Sequence, residues 1–193
     1  MKSIFRFSLV TLLPTIFFLF VMYAKNEEPK TAADTTATTM QPPPASDRGT
    51  ASATFGNANI TINYGRPQLQ GRDMLAQATD GMVWRMGMNE ATEFKADADL
   101  KFGATTIPKG SYSLFMKKIS ADQWHLIFNK KTGIWGTEYS EQDNLAEVPL
   151  AMSTNPQSVE AFTIELEKIN DTTDKIKASW GTSVLSTEFA VQN

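Results

Sequence analysis

Apolar and polar side chains alternate one by one along most of the chain beyond residue 50, and this period of two constrains the fold more than any other feature. Successive side chains of a β-strand point to opposite faces, so the alternation predicts strands with one buried face and one wet face. Such strands are typical of antiparallel sheets. We predict strands over residues 59–64, 100–102, 111–117, 123–128, 148–152, 161–169, 174–180 and 184–191.

The spacing of these segments indicates the fold class. Eight or nine short strands at intervals of roughly ten residues, with no long amphipathic helix, are typical of a sandwich or a barrel. We therefore predict a single all-β domain over residues 51–193, an antiparallel β-sandwich or jelly-roll-like domain. Gly181 is predicted to form the turn between the last two strands, and only residues 72–77 and 137–144 are expected to form short helical turns.

Residues 1–24 have the layout of an export signal, because Lys2 and Arg6 precede a nearly continuous apolar run. The run spans about 16 residues, fewer than the roughly 20 that a perpendicular transmembrane helix needs. Ala24 suits a cleavage site, but Met22 is larger than the small residue expected two positions before it. The sequence favours a cleaved signal peptide, leaves an uncleaved N-terminal anchor open, and predicts an exported protein of the periplasm or cell envelope.

Residues 25–50 are rich in threonine, alanine and proline and contain one sizeable apolar side chain, Met40. Such a segment cannot bury enough apolar surface to offset the entropy lost on ordering. We predict a disordered linker between the export segment and the β-domain.

Composition and charge exclude several classes of function. The chain has no cysteine and one histidine, His125, so disulfide scaffolds, cysteine nucleophiles and thiolate metal sites are excluded. His125 lies on a predicted strand with no carboxylate partners at ligand spacing, so we expect no metal site and no cofactor. Residues 51–193 carry thirteen basic and seventeen acidic side chains, a balance that repels nucleic acid.

Arginine is unevenly distributed in the predicted domain. Arg66, Arg72 and Arg85 lie close together in sequence, whereas the other ten basic residues of the domain are lysines. A guanidinium group is preferred where a planar fork of donors must meet a carboxylate or hydroxyl groups in a fixed geometry. The segment that holds these arginines therefore predicts a ligand pocket.

We predict that the pocket has a polar floor and aromatic walls. Its candidate ligand-binding residues are Arg66, Arg85, Asn89, Glu90, Trp84 and Tyr64. In the alternative interpretation, Arg85 pairs with Glu90 or another acid and fastens a long loop to the sheet without any ligand.

No catalytic constellation is recognisable, and we predict no catalytic residue. Glu90 and Glu93 are three residues apart, so on an extended strand they would point to opposite faces and form a poor catalytic pair. The chain has no Gly-x-Ser-x-Gly elbow and no glycine-rich phosphate loop.

Several strings of residues are similar to a known family. They are Tyr64-Gly-Arg-Pro67, Val83-Trp-Arg-Met-Gly-Met-Asn-Glu-Ala-Thr92, Ile107-Pro-Lys-Gly-Ser-Tyr-Ser-Leu-Phe115 and Trp124-His-Leu-Ile-Phe-Asn-Lys130. Together they resemble the exported family named domain of unknown function 2911. The resemblance extends over the whole predicted domain and implies a small exported β-rich protein with no established activity.

The sequence leaves three functions open. The preferred one is non-catalytic binding of a small polar ligand, sugar or peptide in the cell envelope. The alternatives are a glycan or ester hydrolase that uses Glu90, and a structural module that binds another envelope protein. We expect contact with a membrane only through an uncleaved N-terminal anchor.

Overall fold

The computed structural model describes residues 47–192, which form ten β-strands and no α-helix. A 3-10 turn lies at Glu141–Asp143. The strands are β1 (Arg48–Phe55), β2 (Ala58–Gly65), β3 (Val83–Trp84), β4 (Thr92–Ala96), β5 (Leu100–Phe102), β6 (Thr105–Ile107), β7 (Gly110–Ser120), β8 (Gln123–Asn129), β9 (Asn144–Lys168) and β10 (Asp174–Val191).

The predicted export segment and most of the predicted linker lie outside the described residues. Strand β1 begins at Arg48, three residues before the predicted start of the domain at residue 51. Its inner positions are glycine and alanine apart from Phe55, so it lacks the strong apolar alternation of the other strands. Within residues 47–192, no helix is long and apolar enough to cross a bilayer.

All neighbouring strands pair in antiparallel fashion, in the order β1-β2-β4-β7-β8-β9-β10-β5-β6, and β3 pairs with β7. Strands β2, β4, β5, β7 and β8 each bury one face or both faces. The prediction of an all-β antiparallel domain is therefore confirmed.

The ladder of strands folds over on itself because β9 and β10 are long. The first part of β9 pairs with β8 and the rest pairs with β10. Side chains from distant strands then meet on the inner face: Phe55 of β1 contacts Phe189 of β10, and the Trp84 ring is stacked on Trp180 with 5.4 Å between centroids. These contacts close one apolar core between two layers.

The predicted turn at Gly181 is wrong, because β10 runs without interruption from Asp174 to Val191. Gly181 has a φ of 60° and lies at a register shift between β9 and β10. A bulge of this kind changes which residues face inward, so even positions such as Ala178 are buried before it and odd positions such as Leu185 after it. The change of parity, which the sequence also shows, marks a bulge and not a turn.

The other differences from the predicted elements are similar in kind. The predicted strands 148–152 and 161–169 are parts of the single strand β9. Of the two predicted helical turns, residues 72–77 form one turn in which the Gln77 N–H donates to the carbonyl of Asp73 at 3.1 Å. The segment 137–144 contains only the 3-10 turn.

One charged side chain lies on the inner face. Asp174, the first residue of β10, is 5% exposed, and its Oδ1 atom has no hydrogen-bond partner. Burial removes water from the carboxylate and raises the pKa of Asp174, while the positive charge of Lys168 opposes the increase. The folded protein therefore binds this proton more tightly than the unfolded chain does.

We predict that Asp174→Asn stabilises the fold at neutral pH by about 1 kcal/mol, since it removes an unpartnered buried carboxylate. Because the pKa is higher in the folded protein, the free energy of unfolding falls as the pH rises from the unfolded-state pKa of 3.8 through the folded-state pKa. At higher pH the destabilisation by the charged carboxylate is constant. The gain from the substitution should therefore disappear below pH 3.8. Urea unfolding of both proteins at pH 7 and pH 3 measures the difference.

Asp171→Asn is the matched control, because the Asp171 side chain is fully exposed and the substitution should leave the free energy of unfolding within about 0.5 kcal/mol. A destabilising Asp174→Asn at pH 7 would contradict the assignment of an unpaired carboxylate to this position.

Candidate functional site

A row of polar residues crosses the outer face of the sheet from strand to strand. Cross-strand register joins Thr50, Asn63, Glu93, Ser113, Asn129 and Asn144, one residue from each of six neighbouring strands. We call these six residues the polar row. Asn63 points outward because its neighbours Ile62 and Tyr64 are buried on the inner face.

Residues 130–140, which we call the covering loop, lie over the outer face beside the polar row. Ile134 packs in a second apolar cluster with Ala91, Phe115 and Ile127. The loop is held by backbone hydrogen bonds, including one from the Ala91 N–H to the Ile134 carbonyl at 3.0 Å. Asn129 of the polar row is bonded to the loop, since its amide donates to the Ser140 carbonyl at 2.9 Å.

A cleft of about 260 Å³ opens where the covering loop meets strands β1, β2 and β4. We call it the Arg48 cleft, and its lining residues are Arg48, Asn63, Glu90, Ala91, Glu93, Gly133 and Ile134. It therefore combines polar side chains of the sheet with the backbone and one apolar side chain of the loop.

The guanidinium group of Arg48 organises this cleft. Its Nε donates to Oδ1 of Asn63 at 2.7 Å, and its Nη1 donates to Oε2 of Glu90 at 2.7 Å. The side chains of Arg48 and Glu90 are 19% and 29% exposed, so the ion pair is partly shielded from water. Bonds from two sides hold the planar group in one orientation, as charge-assisted hydrogen bonds of this length do.

Glu93 lies next to this pair and is half-buried. Within residues 47–192, its carboxylate takes part in no hydrogen bond or ion pair with another side chain. The cleft thus contains one carboxylate that is neutralised by Arg48 and a second one that can accept hydrogen bonds from a ligand.

The donor set does not suit a metal ion. Among the described residues, no group of three or more histidine, aspartate or glutamate side chains is placed to hold one. The arrangement suits a neutral ligand with several hydroxyl or amide groups.

Two of the sequence-predicted site residues lie in the core. Tyr64 is 4% exposed and Trp84 is 9% exposed, and both rings pack edge-on against Phe162 on the inner face. They belong to the contact between the two layers and do not line the Arg48 cleft.

The remaining predicted residues are spread over different surroundings. Arg66 is directed at the carbonyl of Phe162, with 3.5 Å between Nε and O. Arg85 packs its side chain on Gly136 of the covering loop, and the carbonyl of Asn89 accepts a hydrogen bond from the Gly136 N–H at 2.8 Å. Of the six predicted residues, only Glu90 lines the cleft.

The partner of Glu90 also differs from the one considered in the alternative interpretation. Arg48 pairs with Glu90, whereas Arg85 does not. The argument that Glu90 and Glu93 point to opposite faces is wrong, because Glu90 precedes β4 and forms an isolated bridge with Trp135. The chain from Glu90 to Glu93 is not one continuous strand, so alternation does not determine the faces of these two residues. Both of them line the Arg48 cleft.

The sequence reasoning missed Arg48, Asn63 and Glu93 as site residues. Arg48 falls within the predicted linker, 42 positions before Glu90. The alternation of β2 does predict that Asn63 points outward. The residues that lie beside it depend on the pairing of β1, β2 and β4, which the sequence does not reveal.

A close backbone approach positions the segment that carries Glu90. Gly65, the last residue of β2, lies directly against Met88. A Cβ atom at Gly65 would overlap the carbonyl oxygen of Met88 and lie 2.7 Å from its backbone nitrogen. Any side chain there must push the segment before β4 away from the sheet.

We predict that Gly65→Ala lowers the free energy of unfolding by about 3 kcal/mol, because the backbone at Met88 cannot move without losing its packing. Gly56→Ala is the control: its φ of 60° is unfavourable for alanine, but nothing lies within 4 Å of the added Cβ. It should cost only about 1 kcal/mol. Equal losses for the two variants in urea unfolding would contradict the close approach.

Comparison with known proteins agrees with the resemblance seen in the motifs. A family model described as "Protein of unknown function (DUF2911)" matches residues 46–189, a range that includes every residue of the Arg48 cleft. Searches of curated proteins and of solved structures gave no match. Since the matched range covers most of the chain, the protein belongs to the DUF2911 family, whose function is unknown.

Proposed function

We propose that this domain is a non-catalytic binding module of the cell envelope, and that it holds a small hydroxylated ligand, such as a single sugar ring, in the Arg48 cleft. The observation that carries the proposal is the fixed guanidinium group of Arg48, bonded at 2.7 Å to both Asn63 and Glu90, beside the carboxylate of Glu93, which pairs with no other side chain of residues 47–192.

The hydrogen-bonding groups of the cleft match those of a polyol. A hydroxyl group both donates and accepts, so it can give its hydrogen to Glu93 and accept one from an N–H of Arg48 that is not used by Glu90 or Asn63. Neighbouring hydroxyls can bond to the amide of Asn63 and to the backbone at Gly133. The apolar edge of a sugar ring would meet Ile134.

The size and charge of the cleft narrow the class of ligand. Its volume of about 260 Å³ lies just below the roughly 300 to 1,000 Å³ of most ligand pockets, so one ring or a short peptide end fits better than a longer chain. Two carboxylates and one guanidinium group leave a net negative charge. An anionic ligand is therefore disfavoured relative to a neutral one.

No observation favours the two alternative functions. A hydrolase that uses Glu90 needs that carboxylate to be free to meet a substrate, but Glu90 is already bonded to the guanidinium group of Arg48 at 2.7 Å. For a protein-binding module, we would expect the exposed large apolar side chains to share one surface. Among the described residues they are Met74, Ile119 on β7, Leu145 and Met152 on β9, and Ile169 directly after β9, and they do not form one continuous run.

The cellular location is part of the same proposal. The layout of residues 1–24 supports export, and the predicted linker before β1 would hold the domain away from the membrane if the signal is retained. Mass analysis of the N-terminus of the exported protein tests this: cleavage after Ala24 supports a signal peptide, and an intact N-terminus supports an anchor.

The binding proposal predicts that a panel of monosaccharides, polyols and short peptides contains at least one ligand, detectable by calorimetry or by NMR titration of the full chain. Glu93→Gln should weaken its binding at least tenfold, because one charge-assisted hydrogen bond contributes about 1.5 kcal/mol or more. Arg48→Lys should weaken binding further, since an ammonium group cannot hold Asn63 and Glu90 together in one plane.

Glu165→Gln provides the matched control, because Glu165 lies on β9, pairs with Lys177 at 2.8 Å and does not line the cleft. Its affinity should equal that of the unmodified protein. If no compound of the panel binds, or if binding is unchanged in both Glu93→Gln and Arg48→Lys, the proposal fails.

A further inference from the structure

A second cavity lies at the end of β1 remote from Arg48. It has a volume of about 220 Å³ and opens between the β1–β2 turn and the hairpin that joins β9 to β10. Its lining residues are Phe55, Gly56, Asn57, Lys168, Asp171, Thr172, Asp174, Ala190 and Val191. None of them lines the Arg48 cleft, so the two sites are separate.

The unusual group of this cavity is the carboxylate of Asp174. The residue is 5% exposed, and its Oδ1 atom is buried without a hydrogen-bond partner. Buried polar atoms in folded proteins almost always have a partner, so an acceptor that lacks one calls for a donor from outside the chain. Burial also raises the pKa of this carboxyl, as expected for an acid without a fixed partner.

The charges around the cavity favour a positively charged donor. Asp171 adds a second carboxylate, and the one cationic side chain in the lining, Lys168, lies 3.7 Å from Asp171 in an exposed pair. Such a pair is weak in water, and one ammonium group does not balance two carboxylates. The cavity therefore has a net negative charge with Asp174 at its buried end.

The walls favour an organic cation over a metal ion. Calcium requires six to eight oxygen ligands, whereas the side chains of this cavity offer two carboxylates, one amide and one hydroxyl group. No metal-binding cluster of three or more acidic or histidine side chains occurs among residues 47–192. Phe55, Ala190 and Val191 instead provide an apolar wall. A short alkyl chain that carries an ammonium group satisfies both parts of the lining.

We propose that the cavity is a binding site for small aliphatic ammonium ions, in which Asp174 is the counter-ion and the alkyl part packs against Phe55 and Val191. The ammonium group donates a hydrogen bond to the Asp174 carboxylate and neutralises its charge. The site does not depend on the Arg48 cleft, so either proposal can fail while the other holds.

The experiment titrates the full chain with n-butylammonium chloride at pH 7 and follows backbone amide signals by NMR. Sodium chloride at the same ionic strength, sodium butyrate, butan-1-ol and calcium chloride are titrated in parallel. We expect saturable, millimolar binding of the ammonium ion, with shifts at the signals of Phe55, Asp174 and Val191, and no saturable response to the other four compounds.

Two variants assign the binding to Asp174. Asp174→Asn should weaken n-butylammonium binding at least tenfold, although it is expected to fold at least as stably as the unmodified protein. Asp171→Asn, which removes an exposed carboxylate, should weaken it less than threefold. Because loss of binding and gain of stability are expected together, unfolding cannot account for the result.

Four outcomes would overturn the proposal: no saturable response to the ammonium ion, an equal affinity in Asp174→Asn, an equal response to butan-1-ol, or a response to calcium that exceeds the response to the ammonium ion. The second would show that the charge of Asp174 is not used. The third and fourth would assign the cavity to neutral molecules or to a metal ion.

Discussion

The contact between Trp84, Phe162 and Trp180 is the interaction on which the rest of this structure depends. It joins β3 to the second half of β9 and to β10, strands that belong to opposite layers. Once these rings face inward, strand alternation determines the face of the neighbouring residues on the paired strands as far as the next bulge. Asn63 must then point outward beside inner Tyr64, and Asp174 must point inward in line with Ile176 and Ala178.

Much of the fold could be predicted from the sequence, because alternation reports directly on burial. Strands β2, β5, β7 and β8 lie close to their predicted ranges. Alternation fails in two physical situations that this chain contains. In β1 the inner positions hold Ala51 and Ala53, which are too small to contrast with their polar neighbours. In β10 a bulge at Gly181 reverses the parity, and a continuous strand then resembles two.

The Arg48 cleft could not be predicted, because proximity in sequence was a poor guide to proximity in space. Arg66 and Arg85 lie in one segment, yet one is directed at a carbonyl of β9 and the other packs under the covering loop. Arg48 and Glu90 are 42 residues apart and meet because β1 pairs with β2 and β2 with β4. A guanidinium group does organise the cleft, but it belongs to Arg48, which lies in the segment that was predicted to be a disordered linker.

The two proposed sites differ in whether the chain neutralises their carboxylates, and this difference determines which ligands each site can select. In the Arg48 cleft the charge of Glu90 is already neutralised, and the donors and acceptors are held in place before a ligand arrives. Selection there depends on geometry, since a ligand must match a fixed set of hydrogen-bonding positions. At Asp174 the chain supplies no hydrogen-bond partner for Oδ1, and the fold is less stable as a result. A cation that binds there offsets part of the free energy lost by burying the carboxylate. Selection at Asp174 therefore depends on charge first and on shape second.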